Sequence, residues 1–135
     1  MKVSIIGSGS TALAAAAFLK LKQVPVTVYV RREKKRTVWN ENPVQVHGQI
    51  DSALYVPISS TMEEAVRFGD ILLVCTRAND HETVTAELAP YIKEGQCLLF
   101  LNGCWGAVKA YRYFQKTYGQ IPLTIAETAN MPFIA

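Results

Sequence analysis

The stretch KVSIIGSGSTALAAAAFLKLK, beginning at Lys2, constrains the fold more than any other part of the chain. KVSII is short, apolar and rich in β-branched residues, which suits a strand, and glycine stops it; STALAAAAFLKLK is dominated by good helix formers. VPVTVYV, residues 24–30, is rich in valine and kept extended at Pro25, so it reads as a second strand. A strand, a helix and a strand within about 30 residues form a βαβ unit, and a crossover of that kind joins parallel strands.

The rest of the chain extends this pattern. ILLVCT (71–76) and QCLLFL (96–101) are nearly continuous apolar runs, as strands covered on both faces are. NDHETVTAELAPYI (79–92) and AVKAYRYFQKTYG (107–119) read as helices, and PLTIAET (122–128) reads as a last strand. From Arg31 to Asp70 the pattern is less regular, with short strands expected in VQVHGQI and ALYVPIS and a helix over TMEEAVRFG, capped by Ser60 or Thr61. The expected fold is α/β, a Rossmann-type doubly wound, mostly parallel sheet with helices on both faces. A length of 135 residues suits one such domain and leaves no room for a full substrate domain beside it.

The turn after the first strand is Gly7-Ser8-Gly9-Ser10-Thr11-Ala12, a G-x-G-x-x-A pattern. Gly7 permits the tight turn, Gly9 removes a side chain where a pyrophosphate must approach the backbone, and Ala12 keeps helix and strand close. The helix start then presents amides and a positive dipole end to the phosphates. A Gly/Ser turn without a ligand is the alternative.

Which dinucleotide such a turn takes is decided at the end of the second strand. An NAD site usually carries Asp or Glu about 20 residues past the glycines, to bind the adenosine ribose hydroxyls. Here the tip is Tyr29-Val30-Arg31-Arg32, and the first acid is Glu33. A carboxylate repels a 2′-phosphate, whereas a guanidinium takes it with paired, charge-assisted hydrogen bonds. The arginines point to NADP(H) over NAD(H), with Arg31 as the direct contact and Arg32 or Lys35 as alternates. A solvated basic loop is the competing explanation.

Ligands in open parallel sheets lie beyond the carboxyl ends of the strands. The loops Cys75-Thr76-Arg77-Ala78-Asn79 and Leu101-Asn102-Gly103-Cys104-Trp105-Gly106 therefore border the ribose and nicotinamide halves of the expected ligand, with Thr76, Arg77, Asn102 and Gly103 as contacts. Asn79 is equally suited to cap the next helix, Thr76 to satisfy backbone groups, and Gly103 and Gly106 to serve turn geometry. His81 and Glu82 fall in the opening turn of a helix, where an acid and a solvated histidine are commonplace. Glu127, at the end of the last strand, is placed to face a nicotinamide or a partner domain, and His47 has no evident partner. No nucleophile-base-acid constellation is legible, so no catalytic residue is assigned.

Net charge is +3, and much of the excess sits in Arg31, Arg32, Lys34, Lys35 and Arg36. One basic loop in a chain otherwise mixed in sign reads as a local anion site, with no nucleic-acid face. Cys75, Cys97 and Cys104 are odd in number and lack metal-type spacing, which argues against a disulfide framework or a zinc site. The N-terminus lacks the apolar core of a secretory signal, and no run approaches the roughly 20 residues of a membrane span. A cytoplasmic protein is expected.

Beyond this reading, the chain resembles the N-terminal NAD(P)-binding domain of the octopine/nopaline (opine) dehydrogenase family, including enzymes that make staphylopine-type metallophores. The resemblance is carried by KVSIIGSGSTALAAAAFL, VTVYVR, TMEEAVRFGDILLVCTRANDHETVTAELAPYIKEGQ, LNGCWGA and IAETANMPF. The glycine turn and EEAVRFGDILLV are common to many dehydrogenases; RANDHE, the turn at 103–107 and AETANMPF are more specific. The resemblance implies condensation of an amino acid with a 2-oxo acid and reduction of the imine by NAD(P)H. It carries over only for the cofactor half: Gly7, Gly9 and Ala12 match the phosphate turn, Arg31 the end of the second strand, and Thr76, Asn102 and Gly103 the nicotinamide-side loops. The family's substrate-binding and catalytic residues, a histidine among them, belong to a following helical domain for which this chain has no sequence.

The expectation is thus a cofactor-binding domain over residues 1–135 that binds nucleotide and is inactive alone, completed by a C-terminal domain or partner chain, with a homodimer as a further possibility. The alternatives are the cofactor domain of a ketopantoate-reductase or 6-phosphogluconate-dehydrogenase relative, and a nucleotide-sensing module without catalysis.

Overall fold

Val3, Ser4, Ile5 and Ile6 are all buried in the first strand, which lies inside the main sheet with a parallel neighbour on each side. The computed structural model describes residues 1–48, 51–120 and 123–131. Its strands are β1 (Val3–Ile6), β2 (Val26–Tyr29), β3 (Val44–Val46), β4 (Ser52–Leu54), β5 (Ile58–Ser59), β6 (Ile71–Val74), β7 (Cys97–Phe100) and β8 (Thr124–Glu127), and its helices are α1 (Ser10–Leu21), α2 (Glu33–Glu41), α3 (Met62–Phe68), α4 (His81–Leu88) and α5 (Gly106–Tyr118). Six strands form one sheet in the order β5-β2-β1-β6-β7-β8, every neighbouring pair parallel, while β3 and β4 make a separate antiparallel hairpin. This is the doubly wound order with its reversal between β1 and β6.

Side chains alternate across the sheet. Val3 and Ile5 of β1, with Val26, Val28 and Leu73, pack against the buried alanines of α1. Ile6, Leu72, Val74, Leu98 and Phe100 face the other way, onto Met62, Val66, Leu88 and Phe114 of α3, α4 and α5. The small Ala12, Ala15 and Ala16 let α1 lie close over β1 and β2. Ser4 is buried on the second face and its hydroxyl donates to the Ala65 carbonyl at 2.6 Å, which ties α3 to the sheet. Gln96, also buried, donates to the carbonyls of Val66 and Gly69, both at 2.7 Å.

The irregular region holds one helix that the pattern does not announce. α2 is EKKRTVWNE with no buried residue, so no apolar period marks it. Its tether is Arg36, whose guanidinium donates to the Val30 and Arg31 carbonyls, both at 3.0 Å. Of the two candidate caps for α3, Thr61 is the one: its hydroxyl accepts from the Glu64 amide at 3.1 Å, and Glu64 accepts from the Ser60 amide at 2.8 Å. The helix expected over 79–92 is broken into a 3-10 turn at Ala78–Asp80, α4, and a second 3-10 turn at Ala89–Tyr91 where Pro90 interrupts the ladder. Asn79 sits in the first turn, and the N-cap position is Asp80, without a side-chain cap bond. The strand expected in VQVHGQI ends at Val46, its last residues 49–50 lying outside the described residues, as do Pro122 at the start of PLTIAET and the segment 132–135.

Candidate functional site

Pairings of Ile6 with Tyr29, Ile6 with Val74 and Val74 with Phe100 bring the carboxyl ends of β1, β2, β6 and β7 level. Four loops leave the sheet side by side there, at the reversal of strand order, and a two-lobed cleft opens between them. One lobe, about 500 Å³, is walled by Tyr29, Arg31, Arg32, Lys35, Val84 and Glu87; the other, about 360 Å³, by Ser10, Thr11, Leu101, Asn102, Cys104 and Met131. Gly9, Cys75, Thr76 and Arg77 line both and form the waist.

The two glycines of the turn are needed for different reasons. At Gly7, φ is +141° and an added Cβ would lie 2.8 Å from the Cys75 carbonyl oxygen, so the turn passes too near β6 for a side chain. At Gly9, φ is −88° and an added Cβ would meet nothing within 4 Å. The protein itself gives no reason for glycine there; the space opens into the cleft, at the N-cap of α1, where no side chain caps the helix. Amides of a helix's first turn lack intrahelical partners and favour an anion. A pyrophosphate fits this cradle. Ala12, on the buried face of α1, lies outside the cleft and acts by packing, as the motif requires.

Cations gather over the first lobe. Lys35 donates through Nζ to the Ser8 carbonyl at 2.5 Å, setting an ammonium on the glycine turn, and stands over the Trp39 ring. Arg31 points into the lobe and lies 3.6 Å from a Glu87 carboxylate oxygen, both side chains partly in solvent. Arg32 is exposed at the N-cap of α2. Arg77 stands exposed at the waist. Beside it, the Thr76 hydroxyl oxygen is buried with no hydrogen-bond partner among the described residues, an orphan acceptor and donor at the junction of the two lobes.

Beyond the waist the loop after β7 is tightly wound. Asn102, Cys104 and Trp105 all have positive φ, at 51°, 45° and 68°. The Asn102 amide donates to the Thr128 hydroxyl at 2.9 Å and the Gly103 amide to the Thr128 carbonyl at 3.2 Å. Gly103 does not reach the cleft: it is buried behind the loop, and a Cβ there would lie 2.4 Å from the Glu127 side chain. Eleven of the thirteen sequence-expected residues therefore line the cleft, Ala12 and Gly103 being the exceptions.

Four titratable groups singled out from sequence lie elsewhere. Glu127 accepts from the Ala107 amide at 2.9 Å and caps α5 from the neighbouring strand, a structural duty. Glu82 pairs with Lys109 at 3.3 Å, and His47 with Asp51 at 3.4 Å on the exposed hairpin. His81 is 1 % exposed, where a solvated ring was expected. Its ring lies 4.8 Å from that of Phe100, its Nε2 is 3.3 Å from the Thr76 carbonyl, and Nδ1 is packed beside Gly106 with no hydrogen bond of normal geometry among the described residues. Burial pushes its pKa down, and the nearby Thr76 and Gly103 backbone pulls it part of the way back. Cys75 is a thiol held neutral, pushed up to about 12 by burial. All three cysteines are free.

Sequence reasoning missed Glu87. Asp80, Val84 and Glu87 all line the first lobe, and their spacing of four and three places them on one stripe of the helix, beside the buried stripe of His81, Val84, Thr85 and Leu88. That spacing was legible; what it faced was not, because only the sheet order brings α4 opposite the end of β2.

The sequence profile described as "Ketopantoate reductase PanE/ApbA" matches residues 3–128. The opine dehydrogenase of Arthrobacter sp. (strain 1C) is 26 % identical over 133 residues, covering 96 % of this chain and 37 % of that enzyme. The chain thus spans little more than a third of that relative's length. Among solved structures, a PanE/ApbA family ketopantoate reductase from Ralstonia eutropha JMP134 superposes with a TM-score of 0.77 at 20 % identity, over 97 % of this chain and 44 % of the other. Octopine dehydrogenase, in a structure described with NADH and pyruvate, gives a TM-score of 0.79 at 15 % identity, over 99 % of this chain and 37 % of the other. At these identities the structural likenesses establish the fold, the Rossmann-type sheet expected from sequence.

Proposed function

The chain belongs to the ketopantoate reductase PanE/ApbA family, matched over residues 3–128, and from that premise we propose that it is the NADP(H)-binding domain of an opine-type dehydrogenase. The observation that carries the proposal is the cleft itself: a glycine with empty space before it at the N-cap of α1, and Arg31, Arg32 and Lys35 at the end of β2 where an NAD site carries an acid. The two lobes suit the two halves of a dinucleotide, with adenosine and its phosphates over the basic lobe and the nicotinamide side over Thr76, Asn102 and Cys104.

When bound, the nicotinamide supplies the hydride, and the chain's own residues bind and orient it. Amides at the start of α1 hold the pyrophosphate, Lys35 adds a positive charge to the same turn, and Arg31 takes the 2′-phosphate. The Thr76 hydroxyl gains the hydrogen-bond partner it lacks. Of the groups near the nicotinamide side, Cys75 is held as a neutral thiol and His81 is turned into the core. In this reading the amino acid and the 2-oxo acid are held by a further domain or a partner chain, and residues 1–135 alone bind nucleotide without turnover. The location is cytoplasmic, in keeping with three free cysteines and with the lack of any helix, among the described residues, long and apolar enough to cross a membrane.

The family match supports a second reading, in which the 2-oxo acid alone is reduced. Both readings share this cofactor half and are separated by whether an amino acid is consumed with the oxo acid. Calorimetric titration with NADPH and NADH tests the shared part. NADPH binds more tightly, and Arg31→Ala removes the difference; equal affinities for the two nucleotides in the unsubstituted chain refute the assignment of Arg31. A homodimer is also proposed, and size-exclusion chromatography giving a monomer at high concentration rejects it.

A further inference from the structure

Arg31 is already engaged. Its guanidinium lies 3.6 Å from Glu87, an acid contributed by α4 from across the first lobe, and the Glu87 side chain is only 37 % exposed. The neighbouring cations do not share this restraint: Arg36 is bound to the Val30 and Arg31 carbonyls, Lys35 to the Ser8 carbonyl, and Arg32 is exposed with no salt bridge to an acid among the described residues. Of the two acids that line this lobe, Asp80 and Glu87, Glu87 is the one paired with Arg31 at the end of β2, even though it comes from the opposite wall and lies 54 positions beyond Glu33 in the chain.

We infer that Glu87 sets the cofactor selectivity of the cleft by holding Arg31. The inference rests on the nucleotide-binding reading above and deepens it. A 2′-phosphate must draw Arg31 away from a carboxylate and then sit near that carboxylate, so Glu87 opposes the dianion twice. An adenosine with a free 2′-hydroxyl carries no such charge and leaves the Arg31–Glu87 pair intact. Glu87 therefore lowers the affinity for 2′-phosphorylated nucleotides while leaving the unphosphorylated ones alone. It narrows the gap that the arginines open, and a single neutral substitution widens it. Because the acid acts through Arg31 and not through the pyrophosphate turn, its effect is confined to the 2′ position.

Two small probes isolate that position without the nicotinamide half: 2′,5′-ADP and 5′-AMP. Glu87→Gln keeps the size and the helix and removes the charge. In calorimetric titrations of the chain, Glu87→Gln tightens 2′,5′-ADP by about three- to tenfold and leaves 5′-AMP within twofold of the unsubstituted chain. In an Arg31→Ala background the same substitution has less than half that effect. An unchanged ratio of the two probes in Glu87→Gln overturns the inference, and so does a full gain in the Arg31→Ala background, which would make Glu87 a simple repulsive charge. Failure of the unsubstituted chain to bind either probe counts instead against the nucleotide-binding reading, so the two are told apart.

Discussion

Gly7 and Gly9 stand two residues apart in one turn and answer to different neighbours. Gly7 is fixed by the protein, since a Cβ there meets the Cys75 carbonyl at 2.8 Å with φ at +141°. Gly9 is fixed by nothing in the protein. Gly7→Ala therefore loses about 2 kcal/mol or more of stability from strain and clash, seen as a lower melting temperature. Gly9→Ala stays within about 1 kcal/mol of the parent, the usual span for an N-cap change, yet weakens NADPH about tenfold, roughly 1.4 kcal/mol, by setting a methyl where phosphate must approach. Equal losses of stability in the two variants would undo the distinction. Motif spacing made both glycines legible because an absent side chain is itself a sequence signal. Glu87 was not legible in the same way: its partner Arg31 lies 56 positions earlier, and no local pattern joins them.

Among the elements, α4 shows how a residue type can mislead. A histidine in the first turn of a helix is commonplace at a surface, but the period of α4 puts His81 on the same stripe as Val84, Thr85 and Leu88, and it is buried against Phe100. Burial pushes its pKa below the ordinary value, so the unfolded chain takes up the proton first. The stability contributed by the neutral ring is fully present above about pH 6.5 and is lost as pH falls below that, until the folded ring is protonated too. Melting temperatures measured from pH 7.5 to 5 fall for the parent more steeply than for His81→Phe; parallel curves would mean that the ring titrates as it does in water. Helix α2 was illegible for the opposite reason. EKKRTVWNE has no buried residue; Trp39 packs partly on the core and Arg36 reaches carbonyls of the preceding loop, contacts that leave no apolar period in the sequence.

Across the whole molecule, the six-stranded sheet was legible where strands are covered on both faces, because burial there demands unbroken apolar runs such as ILLV and CLLF. The edge strand β5 is only two residues long and the β3–β4 hairpin is partly exposed, so both carry weaker signals. The cleft was legible from topology alone: once the strands are parallel and the order reverses beside β1, the loops after Ile6, Tyr29, Val74 and Phe100 must converge. What sequence could not give was depth, which put Gly103 and His81 behind the wall and Glu87 in it. The central claim is that this cleft holds a nicotinamide dinucleotide along its whole length. Amide chemical shifts of the isotope-labelled chain, followed as NADPH is added, test it directly. The account predicts shifts concentrated at 7–12, 30–36, 75–78 and 101–105, with the hairpin at 44–54 silent; shifts centred on the hairpin, or confined to one lobe at saturation, would contradict it.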